Sequence, residues 1–223
     1  YAEMAIPDPL NCTYLIEDEI VFGTEDRLRE IAGALAGMYD RIAVINTCVP
    51  SIMGEDIERF LEDYDPIIID IPGFSGDFDE GYRRALGAIR GDADGGREGV
   101  NIHGLCSIDP FAGGNLQEAS RLLHLAGIDT AGVYCRDTLD SVKSPAKYSI
   151  SVNPDYNAEH TGRPGSILGT DKIIETFEYI QNFFPDSGTD KVISEAEEAD
   201  EKIVKACDKF LRKNDPPSVA VFS

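Results

Sequence analysis

The sequence predicts an α/β fold with two Rossmann-like domains, whose mainly parallel sheets are flanked by helices, and with a long C-terminal helix. Two observations predict it. Short apolar runs of strand length alternate with segments whose apolar residues recur at helical spacing. Strands that alternate with helices form parallel sheets with right-handed crossovers. Residues 190–213 then form one long, charged helical pattern.

The first half of the chain predicts two strands and three helices. Thr24 is expected to cap the first helix, whose first turn holds Glu25 and Asp26, and Glu55 is expected to open the second. The predicted elements are a helix from residue 25, a strand at 42–45, a helix at 55–64, a strand at 66–71 and a helix at 78–89.

The second half repeats the alternation. Asn115 is expected to cap a helix that ends at Gly127, with Glu118 completing a capping box. The predicted elements are strands at 100–105, 132–135 and 148–152 and helices at 115–126, near 139, at 171–184 and at 190–213.

A glycine-rich polar stretch at 91–99 separates the two series and predicts a domain boundary. We therefore predict a first α/β domain at 1–97 and a second Rossmann-like domain at 98–187. Residues 188–223 are predicted to form a linking helix and the beginning of a strand, Ser218 to Ser223. Because the chain also starts at Tyr1, we expect it to be a piece of a longer protein.

Charge and cysteine content limit the class of protein. The 41 acidic and 20 basic residues give a formal charge of −21, which disfavours binding to nucleic acid or anionic membranes. No apolar run approaches the ~20 residues that span a bilayer, and the sequence shows no basic start followed by an apolar stretch that would suggest export. The five cysteines form no CxxC pair. We therefore predict free thiols in a reducing cytoplasm.

Cys48 is the strongest candidate for chemistry. It follows a predicted buried strand, and ligands of parallel sheets bind where strands end. A thiol near a helix N-terminus is favoured as a metal-bound thiolate. The alternative is that Cys48 is a small core residue.

Three motifs in order support the metal-site interpretation. In chain order they are the segment Glu17–Gly23 followed by Leu28, Thr47-Cys48 followed by Gly54-Glu55-Asp56, and Ile71–Gly76 followed by Gly81-Tyr82. Together they resemble the nitrogenase component 1-type oxidoreductase family, which includes nitrogenase subunits, cofactor-assembly scaffolds and tetrapyrrole reductases of the dark-operative protochlorophyllide reductase type. Segments 100–104, 115–123 and 165–170 extend the resemblance over most of the chain.

The resemblance implies that Cys48 ligates an iron-sulfur cluster of the 4Fe-4S type, shared between two subunits. The other ligands would lie upstream, so this fragment alone is expected to hold no complete cluster. Gly73 and Gly76 would let the backbone approach the cluster or a neighbouring subunit, or they simply form a tight turn. Cys106 and Cys135 each end a predicted strand and face either a cofactor cleft or the core.

The function implied by the resemblance is that of a nitrogenase-like oxidoreductase subunit. An ATP-dependent iron-sulfur reductase would supply electrons, since this chain has no GxxxxGK[ST] loop of its own. A homologous component 1 subunit would be the second partner. A non-catalytic scaffold for metallocluster assembly and a module that binds a tetrapyrrole or metal complex are the alternatives. The substrate and catalytic residues stay unassigned, and the isolated fragment is expected to be inactive.

Overall fold

The computed structural model describes residues 11–90, 97–156, 165–214 and 218. The helices are α1 (Glu17–Phe22), α2 (Glu25–Ala36), α3 (Cys48–Met53), α4 (Ile57–Phe60), α5 (Phe78–Ile89), α6 (Ala112–Ala126), α7 (Leu139–Lys143), α8 (Thr170–Gln181) and α9 (Thr189–Leu211). The strands are β1 (Ala43–Asn46), β2 (Ile67–Asp70), β3 (Val100–His103), β4 (Thr130–Val133), β5 (Tyr148–Ser151) and β6 (Gly165–Ser166). Within the described ranges, no helix is both long enough and apolar enough to cross a membrane.

The first sheet consists of β1 and β2, which pair in parallel with Ala43 opposite Ile67 and Asn46 opposite Asp70. Its core is small. Its buried apolar cluster consists of Leu28 and Ala32 of α2, Ile57 and Phe60 of α4, and Leu61. Because the strands are parallel, the loops after both of them begin at the same edge of the sheet.

The second sheet has the order β4-β3-β5-β6, and every pair in it is parallel. All four residues of β3 are buried. The core of this sheet includes Leu122 and Leu123 of α6, Phe177 of α8 and Val192 of α9, each at most 2% exposed. In the part of the chain that the structure describes, this apolar cluster has more buried residues than the cluster at the first sheet.

Helix α5 connects the two sheets. Leu86 of α5 packs with Tyr134 and Val142 in a third apolar cluster. The Tyr82 hydroxyl, also on α5, donates to the backbone oxygen of Leu105 at 2.9 Å. The helix that follows the first sheet therefore contacts the carboxyl edge of the second.

The α/β class, the parallel pairing and the long C-terminal helix are confirmed. The predicted start of the sixth helix is wrong: α6 begins at Ala112, and the Asn115 backbone N–H already donates to Phe111 within the helix. Glu118 pairs with Arg121 instead of forming a capping box. The end at Gly127 is confirmed, with φ of 69°.

Glu55 does not open a helix, since α4 begins at Ile57 and Asp56 is its N-cap. Most of the predicted boundary at 91–99, and the predicted strand at its residues 219–223, lie outside the described residues. The division into domains therefore stays a prediction.

His103 is a buried titratable group at the end of β3. It is 0% exposed, and its ring centroid lies 6.1 Å from that of Tyr134. The Tyr156 backbone favours the protonated ring, but neither ring nitrogen reaches hydrogen-bond geometry with a partner in the described chain. Burial is the largest effect and lowers the pKa of His103 to about 4.

His103 should make stability depend on pH. Between the ordinary pKa of 6.5 and about 4, the unfolded chain binds a proton that the folded chain does not. Lowering the pH through this window should therefore reduce the free energy of unfolding by up to about 3 kcal/mol. Urea unfolding across the window, with wild type and His103→Gln, measures it, and His124→Gln is the exposed control. An equal pH dependence in wild type and His103→Gln would contradict the assignment.

Candidate functional site

The candidate site lies at the carboxyl edge of the first sheet, where two segments meet. Cys48 is the first residue of α3, two residues after the end of β1. After β2, the Ser75 backbone N–H donates to the Pro72 oxygen at 2.9 Å and closes a tight turn. The Gly73 backbone N–H in this turn donates to the Cys48 Sγ, with an N···S distance of 3.1 Å. The two motifs singled out in the sequence are therefore in direct contact.

Cys48 is half-buried, and its thiol is free. Cys106 is buried, while Cys12, Cys135 and Cys207 are exposed; all of them are free as well. Among the described residues, no group of three or more His, Cys, Asp or Glu side chains is arranged to hold a metal ion. Within these residues, the edge of the first sheet therefore offers a metal a single thiol rather than a full set of ligands.

Asp70, the last residue of β2, binds the segment that contains Cys48. Its Oδ1 accepts a hydrogen bond from Asn46 Nδ2 at 2.8 Å and another from Ser51 Oγ at 3.1 Å. Asn46 precedes Cys48 by two residues, and Ser51 follows it by three. One carboxylate oxygen therefore holds the chain on both sides of the cysteine.

The C-terminal end of α3 is held by Glu55. Gly54 ends the helix in the left-handed conformation, with φ of 71°, and directs the chain back toward α2. The Glu55 carboxylate then accepts hydrogen bonds from the Thr24 backbone N–H at 3.0 Å and from the Thr24 hydroxyl at 2.5 Å. Thr24 is 0% exposed. Thr24 thus binds Glu55 and makes no side-chain cap of its own to α2, contrary to the prediction.

The two candidate glycines have different surroundings. A Cβ at Gly73 would lie 3.4 Å from Cys48 Sγ, which is ordinary contact. A Cβ at Gly76 would lie 2.5 Å from the Glu80 Cγ, so this glycine allows the start of α5 to pack closely. The Asp77 carboxylate caps that helix through the Glu80 N–H. A contact of either glycine with a cluster or subunit stays a prediction.

The surface around Cys48 is unusually apolar. Several large apolar side chains are exposed on α1, α3 and the turn after β2: Val21, Phe22, Val49, Ile52 and Phe74, of which Phe22 is 85% exposed. The turn and the start of α5 also line an open depression of about 340 Å³. Exposed apolar patches commonly mark sites of contact with another protein.

Among the described residues, the carboxyl edge of the second sheet has two cysteines but no group of three or more metal-binding side chains. Cys106 is buried, and Cys135 has a φ of 63°. The Cys135 Sγ lies 3.4 Å from the Tyr82 hydroxyl, which already donates to Leu105. Burial raises the pKa of Tyr82, so its hydroxyl stays protonated. For Cys106 and Cys135, a role at a cofactor cleft and a role in core packing therefore both stay predictions.

The sequence did not predict the role of Asp70 or the contact between Thr24 and Glu55. In the sequence, Asp70 is simply the polar residue at the end of an apolar strand. Its carboxylate reaches the Cys48 segment because the strand register places Asp70 opposite Asn46. Glu55 stands in one of the motifs, and Thr24 directly follows Gly23 of another. These two residues are 31 positions apart in the sequence, so only the folded structure reveals their contact.

Comparisons with known proteins agree on one family. Residues 2–204 match the family described as nitrogenase component 1 type oxidoreductase. The nitrogenase molybdenum-iron protein beta chain of Bradyrhizobium diazoefficiens is 29% identical over 150 residues, which cover 54% of this chain and 28% of that protein. The beta chain of Sinorhizobium fredii is 26% identical over 148 residues, covering 59% of this chain and 28% of its own length.

Two solved structures have the same fold. They are titled "Nitrogenase Cp1 at pH 5" and "Nitrogenase Cp1 at pH 6.5", and both align with 88% of this chain. Their TM-scores are 0.62 and 0.61, with sequence identities of 19% and 21%. The alignments cover 44% and 42% of those chains. This chain therefore spans less than half the length of these structures, and its alignments cover 28% of each curated relative.

The contact between Glu55 and Thr24 should stabilise the fold. Glu55→Ala leaves the buried Thr24 hydroxyl and N–H without their acceptor, which should cost about 1–3 kcal/mol. Urea unfolding followed by circular dichroism measures the change. Glu58→Ala, which removes an exposed carboxylate of α4, is the matched control. Equal stability of the two variants would show that the contact is not formed in solution.

Proposed function

Because the chain belongs to the nitrogenase component 1 type oxidoreductase family, we propose that it is part of a subunit that passes electrons through an iron-sulfur cluster at Cys48. The electrons would come from an ATP-dependent iron-sulfur reductase and go to a bound substrate or metal cofactor. The contact between Cys48 and the turn after β2 is the observation that supports this proposal best.

Cys48 and its surroundings suit the role of a ligand to an iron-sulfur cluster. Thiolates are the usual ligands of iron-sulfur clusters, and backbone hydrogen bonds to their sulfur help to set the reduction potential. Cys48 Sγ already accepts such a bond from Gly73. The cluster, when bound, would take up and release single electrons. Cys48 would hold it, and Gly73 would stabilise negative charge on the sulfur.

Cys48 alone cannot complete the coordination of a cluster. Four cysteine ligands are usual, so the others would come from outside the described residues and from a homologous component 1 subunit. The exposed apolar side chains of α1, α3 and the turn support a protein partner at this face. We expect the complete assembly to work in the cytoplasm.

Replacing Cys48 should remove the cluster from the assembled protein. Cys48→Ala takes away one thiolate, so iron and acid-labile sulfide should fall by the content of one cluster per shared site, with loss of its visible absorption. Anaerobic iron and sulfide analysis of protein purified with its partners measures this. Cys207→Ala, at an exposed cysteine of α9, is the matched control.

Unchanged iron content in a folded Cys48→Ala protein would rule out Cys48 as a ligand.

A turnover measurement would distinguish an enzyme from an assembly scaffold. Sustained reduction with a reductase supports electron transfer to a substrate, and a single stoichiometric release of a metallocluster supports the scaffold.

A further inference from the structure

We propose that Asp70 is a positioning residue that orients Cys48 for its cluster. This inference rests on the proposed function, because it assumes that Cys48 is a ligand. Asp70 itself would contact neither cluster nor substrate. It would act by holding the segment around Cys48 against the turn that contains Gly73.

Helix α3 depends on contacts with other parts of the chain for its position. It has only six residues, and none of them is buried. So short a helix is not stable by itself, and its position must come from tertiary contacts. Around Cys48, two of these contacts are hydrogen bonds that end on the same Asp70 oxygen.

Asp70 is itself well anchored. Its backbone pairs with that of Asn46 across the sheet, and the next N–H, from Ile71, donates to the Asn46 oxygen at 3.0 Å. Arg84 Nη1 of α5 donates to the Asp70 backbone oxygen at 3.3 Å. The carboxylate therefore extends from a fixed strand end to the two donors that flank Cys48.

The same geometry links Asp70 to the sulfur. Gly73 follows Asp70 by three residues, and its N–H donates to Cys48 Sγ. If the Asp70 bonds to Asn46 and Ser51 are lost, α3 can move relative to the turn and this N–H···S bond weakens. A carboxylate near a metal site could also act through its charge. Asp70→Asn separates the two effects, since the amide oxygen still accepts hydrogen bonds but the charge is gone.

The first test measures hydrogen exchange of the Gly73 amide in the 223-residue chain by NMR. Asp70→Ala should speed this exchange roughly 2- to 10-fold, the factor that corresponds to one hydrogen bond. Asp70→Asn should exchange at nearly the wild-type rate. Ser51→Ala, which removes one of the two donors, should lie between. Asp63→Ala, which removes an exposed carboxylate paired with Arg29, is the matched control.

Two results of this exchange experiment would overturn the proposal. One is an unchanged Gly73 rate in Asp70→Ala with circular dichroism like that of wild type. The other is equal acceleration in Asp70→Asn and Asp70→Ala, because the charge and not the hydrogen bonds would then be the important feature.

The second test uses the assembled protein and reads the cluster's midpoint potential and iron content. Asp70→Ala should shift the potential or lower the iron, and Asp70→Asn should restore both. If Cys48→Ala keeps its iron while Asp70→Ala still exposes the Gly73 amide, the ligand assignment fails and the positioning contact stands. If Cys48→Ala loses iron while Asp70→Ala changes neither exchange nor potential, the positioning role fails and the ligand assignment stands.

Discussion

The parallel pairing of β1 with β2 is the constraint on which the candidate site depends. It brings the ends of the two strands side by side, with Asn46 opposite Asp70. Cys48 follows the end of β1 by two residues, and Gly73 follows the end of β2 by three. Because both residues lie so near the strand ends, the Gly73 backbone N–H can donate to the Cys48 sulfur. A shift of register by one residue would reverse the side chains and separate the pair.

The site is held by hydrogen bonds more than by a core. The first sheet has a small buried cluster, and α3 contributes nothing to it. Instead, Asp70 accepts hydrogen bonds from Asn46 before α3 and from Ser51 within it, and Glu55 after α3 accepts from Thr24, so all of these donors are distant in sequence. The second sheet has the larger core, and α5 connects to it through Leu86 and Tyr82. The fold thus leaves the cysteine segment lightly packed and half-buried, while α5 joins its sheet to the well-packed second sheet.

Local patterns were enough to predict much of this fold. Periodicity located α5 and α9 almost to the residue, and Gly127 marked the end of α6 correctly. The start of α6 could not be read in this way, because Gly113 and Gly114 in its first turn are poor helix formers. Ala112, at the start of the helix, is nevertheless buried in the core of the second sheet.

The candidate site was predictable only in part. Motifs drew attention to Cys48 and to the turn at Gly73, but their contact depends on strand register. Asp70 and the pairing of Thr24 with Glu55 depend on contacts across 19 to 31 residues. No local pattern of charge or periodicity predicts such pairs, since each side chain also has an ordinary local role as a cap or a strand end.

The central claim, that Cys48 is an iron ligand, is tested most directly by locating the iron. Crystals of the anaerobically purified assembly, measured on both sides of the iron absorption edge, would show the iron atoms by anomalous scattering. An iron peak is expected within bonding distance of Cys48 Sγ, beside the Gly73 turn. Iron in the crystal with no peak near Cys48 would contradict it.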